Sequence, residues 1–181
     1  MKKIATLVGT RFPPSQITDI ASKIGRNLSD KGFIGRSGGA IGMDQAWLSD
    51  YDPSLCEIYR PDDKGINVLN FDNFFEAEEM VKRIIPHFEY LDFYSQWLHT
   101  RNAYQVLGRD LNTPSDFLLC YAPVRNKVVQ GGTRTAFVLA RRNGIPVYNL
   151  YDPEHLKKWC DKFQIEVEVS SNKQIDLSFL E

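Results

Sequence analysis

Between Asp116 and Ala122-Pro123 lies Phe-Leu-Leu-Cys-Tyr, five residues with no charged side chain among them. A strand wetted on one face alternates apolar and polar residues, so a continuously apolar strand is one covered on both faces, as in parallel sheets flanked by helices. The rest of the chain fits that demand. Ile4-Ala-Thr-Leu-Val8 reads as a buried strand, and Ile17, Ile20, Ala21, Ile24 and Leu28 follow at helical spacing with Gly32 as the stop. A second strand starts at Phe33-Ile34 and runs to Ser37, before a helix that begins near 41–44 and passes through Leu48. Leu55–Arg60 is a third strand, ended by the turn residues of Pro61–Gly65. Helices are predicted over 73–85, with Pro86 closing the first, and over 92–107, stopped by Gly108. Gly131-Gly132-Thr133 opens another that Asn143-Gly144 closes, Ile145–Asn149 is the fifth strand, and Asp152-Pro153 starts a last helix to about Phe163. The alternation in Ile165-Glu-Val-Glu-Val169 suits an edge strand or an extended arm. Parallel strands need crossover connections, so the prediction is an α/β fold: a three-layer, Rossmann-like open parallel sheet of about five strands with helices on both faces.

Composition narrows the function classes. The 181 residues are 43% apolar, enough for one domain with a core. Lys and Arg number 22 against 23 Asp and Glu, for a net charge of -1, which speaks against a partner chosen by bulk electrostatics. Charge is nonetheless uneven, since residues 101–144 hold seven cations and two anions. Cys56, Cys120 and Cys160 are far apart, fitting neither a disulfide framework nor zinc. His87, His99 and His155 have no ligand-like spacing, so no metal and no cofactor are expected. The early apolar run is too short for a signal core, and no stretch nears the roughly 20 apolar residues of a membrane span, so a cytoplasmic protein without membrane contact is expected.

Ligands of open α/β sheets bind beyond the carboxyl ends of the strands, which points to three loops. Gly9-Thr10-Arg11 offers close backbone approach, a hydroxyl and a planar cation. A tight turn with a solvated arginine is the plainer reading. Ser37-Gly38-Gly39 repeats the chemistry ahead of a helix start, where free N–H groups receive anions. Asp44, in that helix's first turn, either complements the helix dipole or holds a ribose hydroxyl or a water. Gly131-Gly132-Thr133-Arg134-Thr135 unites bare N–H groups, two hydroxyls and a helix start within the basic segment. Arg60 and Arg101 are candidate auxiliary cations. In the 92–107 helix, His99 and Asn102 share one face while Arg101 shares another with Trp97 and Tyr104, so at most one of the two sets should face a given ligand. Tyr94, Trp97, Tyr104 and Tyr121 are either core residues or platforms for a base.

In order and spacing, Val8-Gly-Thr-Arg11, Ser37-Gly-Gly-Ala-Ile-Gly-Met-Asp44 and Gly131-Gly-Thr-Arg-Thr-Ala136 resemble the nucleotide-binding core of the DprA/Smf proteins, within the SLOG superfamily that also holds the LOG phosphoribohydrolases. The likeness covers about 4–150 of a single domain spanning 1–181, with a C-terminal helix and tail over 151–181. It implies a pocket for a nucleotide or nucleotide-derived ligand built by the glycine loops, and a homodimer. LOG enzymes carry a PGGxGTxxE motif whose Glu serves N-glycosidic hydrolysis. Here the run is Gln130-Gly-Gly-Thr-Arg-Thr-Ala-Phe-Val138, with valine at the carboxylate position.

Three functions follow as expectations. The first is a nucleotide-binding sensor or sequestering module using Gly9, Thr10, Arg11, Ser37, Gly38, Gly39, Gly131, Gly132, Thr133 and Thr135. The second is a nucleoside monophosphate N-glycosidase with Asp44 as its carboxylate. The third is DprA-like binding of single-stranded DNA through the 101–144 segment.

Overall fold

The computed structural model describes residues 2–167. Its strands, in chain order, are β1 (Ile4–Gly9), β2 (Ile34–Ser37), β3 (Cys56–Arg60), β4 (Ile66–Asn67), β5 (Phe117–Tyr121), β6 (Val124–Arg125), β7 (Val128–Val129) and β8 (Val147–Asn149). The helices are α1 (Ser15–Asp30), α2 (Met43–Leu48), α3 (Phe74–Lys82), α4 (Phe93–Leu107), α5 (Thr133–Arg142) and α6 (Pro153–Phe163). Six strands form one sheet in the order β4-β3-β2-β1-β5-β8, with every neighbouring pair parallel. Strands β6 and β7 make a separate antiparallel hairpin.

The apolar strand behaves as its composition demands. Leu118 and Cys120 enter the core cluster built with α3, α4 and α5, while Leu119 and Tyr121 enter the cluster built with α1, α2 and α6. Successive side chains of a strand point to opposite faces, so one run of apolar residues ties both helical layers to the sheet. Helix α1 buries Ile17, Ile20, Ala21, Ile24 and Leu28, the residues whose spacing marked its inner face. Asp92 and Asp152 cap α4 and α6, accepting the N–H groups of Ser95 and Glu154.

Two features were not legible in the sequence pattern. Strand β4 adds a sixth member at one edge, and two residues are too few to show a period. The β6–β7 hairpin occupies a stretch to which the sequence pattern assigns no element, and its turn residues Asn126 and Lys127 both have positive φ, an unusual state for a lysine. The proposed arm Ile165–Val169 lies partly outside the described residues. Among the described residues no helix is long and apolar enough to cross a membrane.

The strand order fixes where a ligand can go. From β1 the chain steps through β2, β3 and β4 to one side, then returns to lay β5 and β8 on the other. The connections leaving β1 and β5 therefore diverge, opening a crevice at the carboxyl ends of these two strands.

Candidate functional site at the switch point of the sheet

A cavity of about 400 Å³ fills that crevice. It is bordered by Gly9, Thr10, Arg11 and Phe12 after β1, by Ala40 and Asp44 around the start of α2, and by Gln130, Gly131, Gly132 and Thr133 before α5. Helix α4 forms its remaining wall, with His99, Arg101, Asn102 and Gln105. The loops after β1 and before α5 reach this cavity directly, whereas of the stretch after β2 only Ala40 and Asp44 border it, and Ser37, Gly38 and Gly39 are not among its lining residues. The expectation that only one of the two sets on α4 faces it does not hold for His99, Asn102 and Arg101. The cavity lies along the helix flank between their stripes, where long side chains from both reach inward.

The loops differ in what they leave free. Before α5, the N–H groups of Gly131, Gly132 and Thr133 have no acceptor among the described residues, as expected for the first turn of a helix. Gly131 has φ +71 with open space where a Cβ would stand, so the backbone conformation, rather than crowding, calls for glycine there. After β2 the picture reverses. The N–H groups of Gly38 and Ala40 both donate to Asp44 Oδ2 at 3.2 Å, so this turn's donors are already used by an internal carboxylate. Ser37 is fully buried and its hydroxyl donates to the Leu7 carbonyl at 2.7 Å. The loop after β1 is tied down by Thr10, whose N–H donates to the Tyr121 carbonyl and whose carbonyl accepts from Met43. Its Thr10 hydroxyl accepts from the Phe12 N–H, and Arg11 stays exposed with no ion pair within 4 Å among the described residues. The anticipated convergence of bare amides from three turns is therefore corrected: the turn before α5 supplies them, and the turn after β2 spends its own on Asp44.

The floor carries the unusual electrostatics. Arg101, 8% exposed, donates from Nη1 to the Gly38 carbonyl at 2.7 Å, and its Nε has no partner among the described residues. One turn further, Gln105 is 1% exposed, and neither its amide nitrogen nor its amide oxygen has a partner among the described residues. A Cβ built on Gly38 would lie 2.6 Å from Arg101 Cζ and Nη2 and from Gln105 Nε2, so both head groups rest against that glycine. Burial pushes the Asp44 carboxyl up to about 6, against the opposing pull of the Arg101 charge and the amides of Ala40, Gly38 and Gly9. His99 is lowered from its ordinary value, by burial first and then by Arg101, and its Nδ1 lies 2.9 Å from the Thr135 hydroxyl.

Some of the anticipated residues stand outside the cavity. Arg60 pairs with Asp62 at 2.7 Å and donates to the Gly39 carbonyl at 3.2 Å, which makes it a brace for the loop after β2. Thr135 is 2% exposed and borders a smaller cavity of about 190 Å³ on the far side of Gly131. Tyr104 and Tyr121 are core, whereas Tyr94, next in sequence to the cavity-lining Ser95, is 48% exposed. Sequence reasoning missed two participants. Phe12, 89% exposed, stands on the cavity border, and its signal was an aromatic placed in a polar loop before Pro13-Pro14. Gln105 left a fainter trace, an amide four residues after Arg101 on a helix otherwise buried in its second half.

No family model and no curated protein matches the chain. Among solved structures it is similar to DNA processing protein A from Helicobacter pylori, studied for its single-stranded DNA binding mode, with a TM-score of 0.53 at 17% sequence identity over 91% of this chain and 74% of that one. The fold is DprA-like. At this identity the likeness establishes architecture, and it agrees with the resemblance carried by the three glycine loops.

Proposed function

We propose that this chain binds single-stranded nucleic acid, taking one nucleotide unit into the cavity at the switch point. The observation that carries this reading is the set of unspent donors on one cavity: three N–H groups before α5, Arg101 on the floor and Arg11 at the border. Donors without acceptors suit an anionic, hydrogen-bonding guest, and a helix start favours a phosphate. Phe12 beside the cavity and Tyr94 near it offer exposed rings on which unpaired bases stack. The β6–β7 hairpin rises from the cavity border at Pro123 and Gln130 and carries Arg125 and Lys127, neither ion-paired among the described residues. The fold shared with a protein studied for single-stranded DNA binding supports this reading over a sensor of free nucleotides.

Fluorescence anisotropy with a labelled mixed-sequence oligodeoxynucleotide tests it. Binding should weaken as salt rises, with a log–log slope of about -2 for roughly three phosphate contacts. A slope near zero, equal affinity for duplex, or no binding would overturn it. A free nucleotide as the ligand is the second reading, favoured by the cavity volume of about 400 Å³, which suits one nucleotide rather than a strand. Under it, mononucleotides raise the melting temperature while oligonucleotides do not. The hydrolytic reading gains nothing from Asp44, whose Oδ2 already accepts two amide protons and suits a loop anchor better than a general base.

A further inference from the structure

We infer that Gln105, with Arg101 beside it, reads the hydrogen-bonding edge of a nucleobase at the floor of this cavity. The inference rests on the nucleic-acid reading above and adds which part of the nucleotide points inward. An amide presents a donor and an acceptor side by side. A phosphate, which only accepts, would be repelled by the Gln105 oxygen, so the floor fits a group that both gives and takes hydrogen bonds. Base edges have that character, and glutamine and arginine are the side chains that match them in pairs. The N–H groups that do suit phosphate, those of Gly131, Gly132 and Thr133, belong to a different element on the border of the cavity, where two glycines stay exposed. Base inward and phosphate at the α5 border is the arrangement that satisfies both sets.

The position of the amide supports a ligand rather than a fold role. Gln105 is 1% exposed with both amide atoms unpartnered among the described residues, and it shares its seat on Gly38 with the Arg101 guanidinium. Leaving a buried amide unsatisfied lowers stability, and an apolar residue of similar volume would pack there without that cost. A glutamine that served packing alone would have no use for its amide.

The test titrates wild type, Gln105→Leu and Gln105→Glu with dA, dC and dT homopolymers and with an abasic strand of equal length. An abasic strand keeps sugar and phosphate, so it separates base reading from backbone binding. Wild type should prefer one homopolymer over another by roughly tenfold, the range of one good paired contact, beyond the base-independent gain over the abasic strand that stacking supplies. Gln105→Leu should bind the three homopolymers alike, keeping over the abasic strand only the advantage that stacking gives, with its urea midpoint unchanged or raised. Gln105→Glu, an acceptor only, should shift preference toward dC and dA, whose bases carry amino donors. Base preference retained in Gln105→Leu, or absent from wild type, would overturn the inference while strand binding stands. No binding of any strand by wild type would overturn both.

Discussion

Helix α4 and the loop that follows it border different cavities, and these have opposite characters. Helix residues between Ser95 and Gln105 line the switch-point cavity of about 400 Å³, while the segment just after the helix, Arg109 to Thr113, lines a larger cleft of about 570 Å³. In the larger cleft the polar groups satisfy one another. Arg36, 4% exposed, bonds Glu57 at 2.7 Å and the Thr113 carbonyl at 2.6 Å, and Tyr59 donates to the same Glu57 carboxylate. Arg109 lies over the Phe71 ring at 4.7 Å, and Asp110 accepts from the Asn112 N–H and the Thr113 hydroxyl. In the switch-point cavity the Arg101 Nε and both Gln105 amide atoms are without partners among the described residues. Buried polar groups are normally satisfied within the protein, so the unsatisfied ones, rather than the larger volume, mark where a guest belongs.

The sharpest way to break that contrast is Arg36→Met. Removing one partner of a mostly buried ion pair and leaving the Thr113 carbonyl without its donor should lower stability by about 3 kcal/mol in urea unfolding, with strand affinity within about twofold of wild type. A large loss of affinity would make the cleft part of the site. Arg101→Ala is the mirror case. Affinity should fall roughly a hundredfold, the scale for losing a desolvated charge contact, with a smaller change in unfolding midpoint.

Asp44 gives the contrast a pH dependence. Its folded-state value of about 6 stands above the 3.8 of an ordinary aspartate, so between these values the folded chain binds more protons than the unfolded one. Its contribution to stability therefore increases as pH falls from about 6 to about 4 and declines as pH rises. The swing is on the order of 2 kcal/mol. Asp62, held down to about 2 by its bond to Arg60, works the other way, losing stability only as pH falls below its ordinary 3.8. Chemical denaturation across pH 4–7 should show the rise in wild type and a flatter curve in Asp44→Asn. A neutral Asp44 also repels phosphate less, so strand affinity should increase over the same descent.

Gly38→Ala probes the seat shared by Arg101 and Gln105. The added methyl meets only the ends of two long side chains, so they must move, and affinity should drop about tenfold while stability changes by roughly 1 kcal/mol. The smallest effect is expected from Lys127→Ala on the hairpin: affinity reduced about threefold, with the salt slope smaller in magnitude by about 0.7.

Legibility in the sequence followed the range of the interactions. The apolar run of β5, the helical spacing of α1 and the caps at Asp92 and Asp152 are local patterns, and each element formed where its residues indicated. The three glycine loops were found because the ligand rule for open sheets says where to look. The allocation of partners was not legible. That Asp44 takes the amides after β2, that Asp62 and the Gly39 carbonyl take Arg60, and that the Gln105 side-chain amide is left without partners among the described residues depends on side chains meeting across the fold. Strand β4 and the β6–β7 hairpin, two residues per strand, carry no periodicity to read.

Amide hydrogen exchange, with and without a saturating single-stranded oligodeoxynucleotide, tests the contrast most directly. Protection is expected at Gly9–Phe12 and Gln130–Thr133, with none gained at 70–73 or 109–113. Protection gained only around the larger cleft, or nowhere in the loops bordering the switch-point cavity, would contradict it.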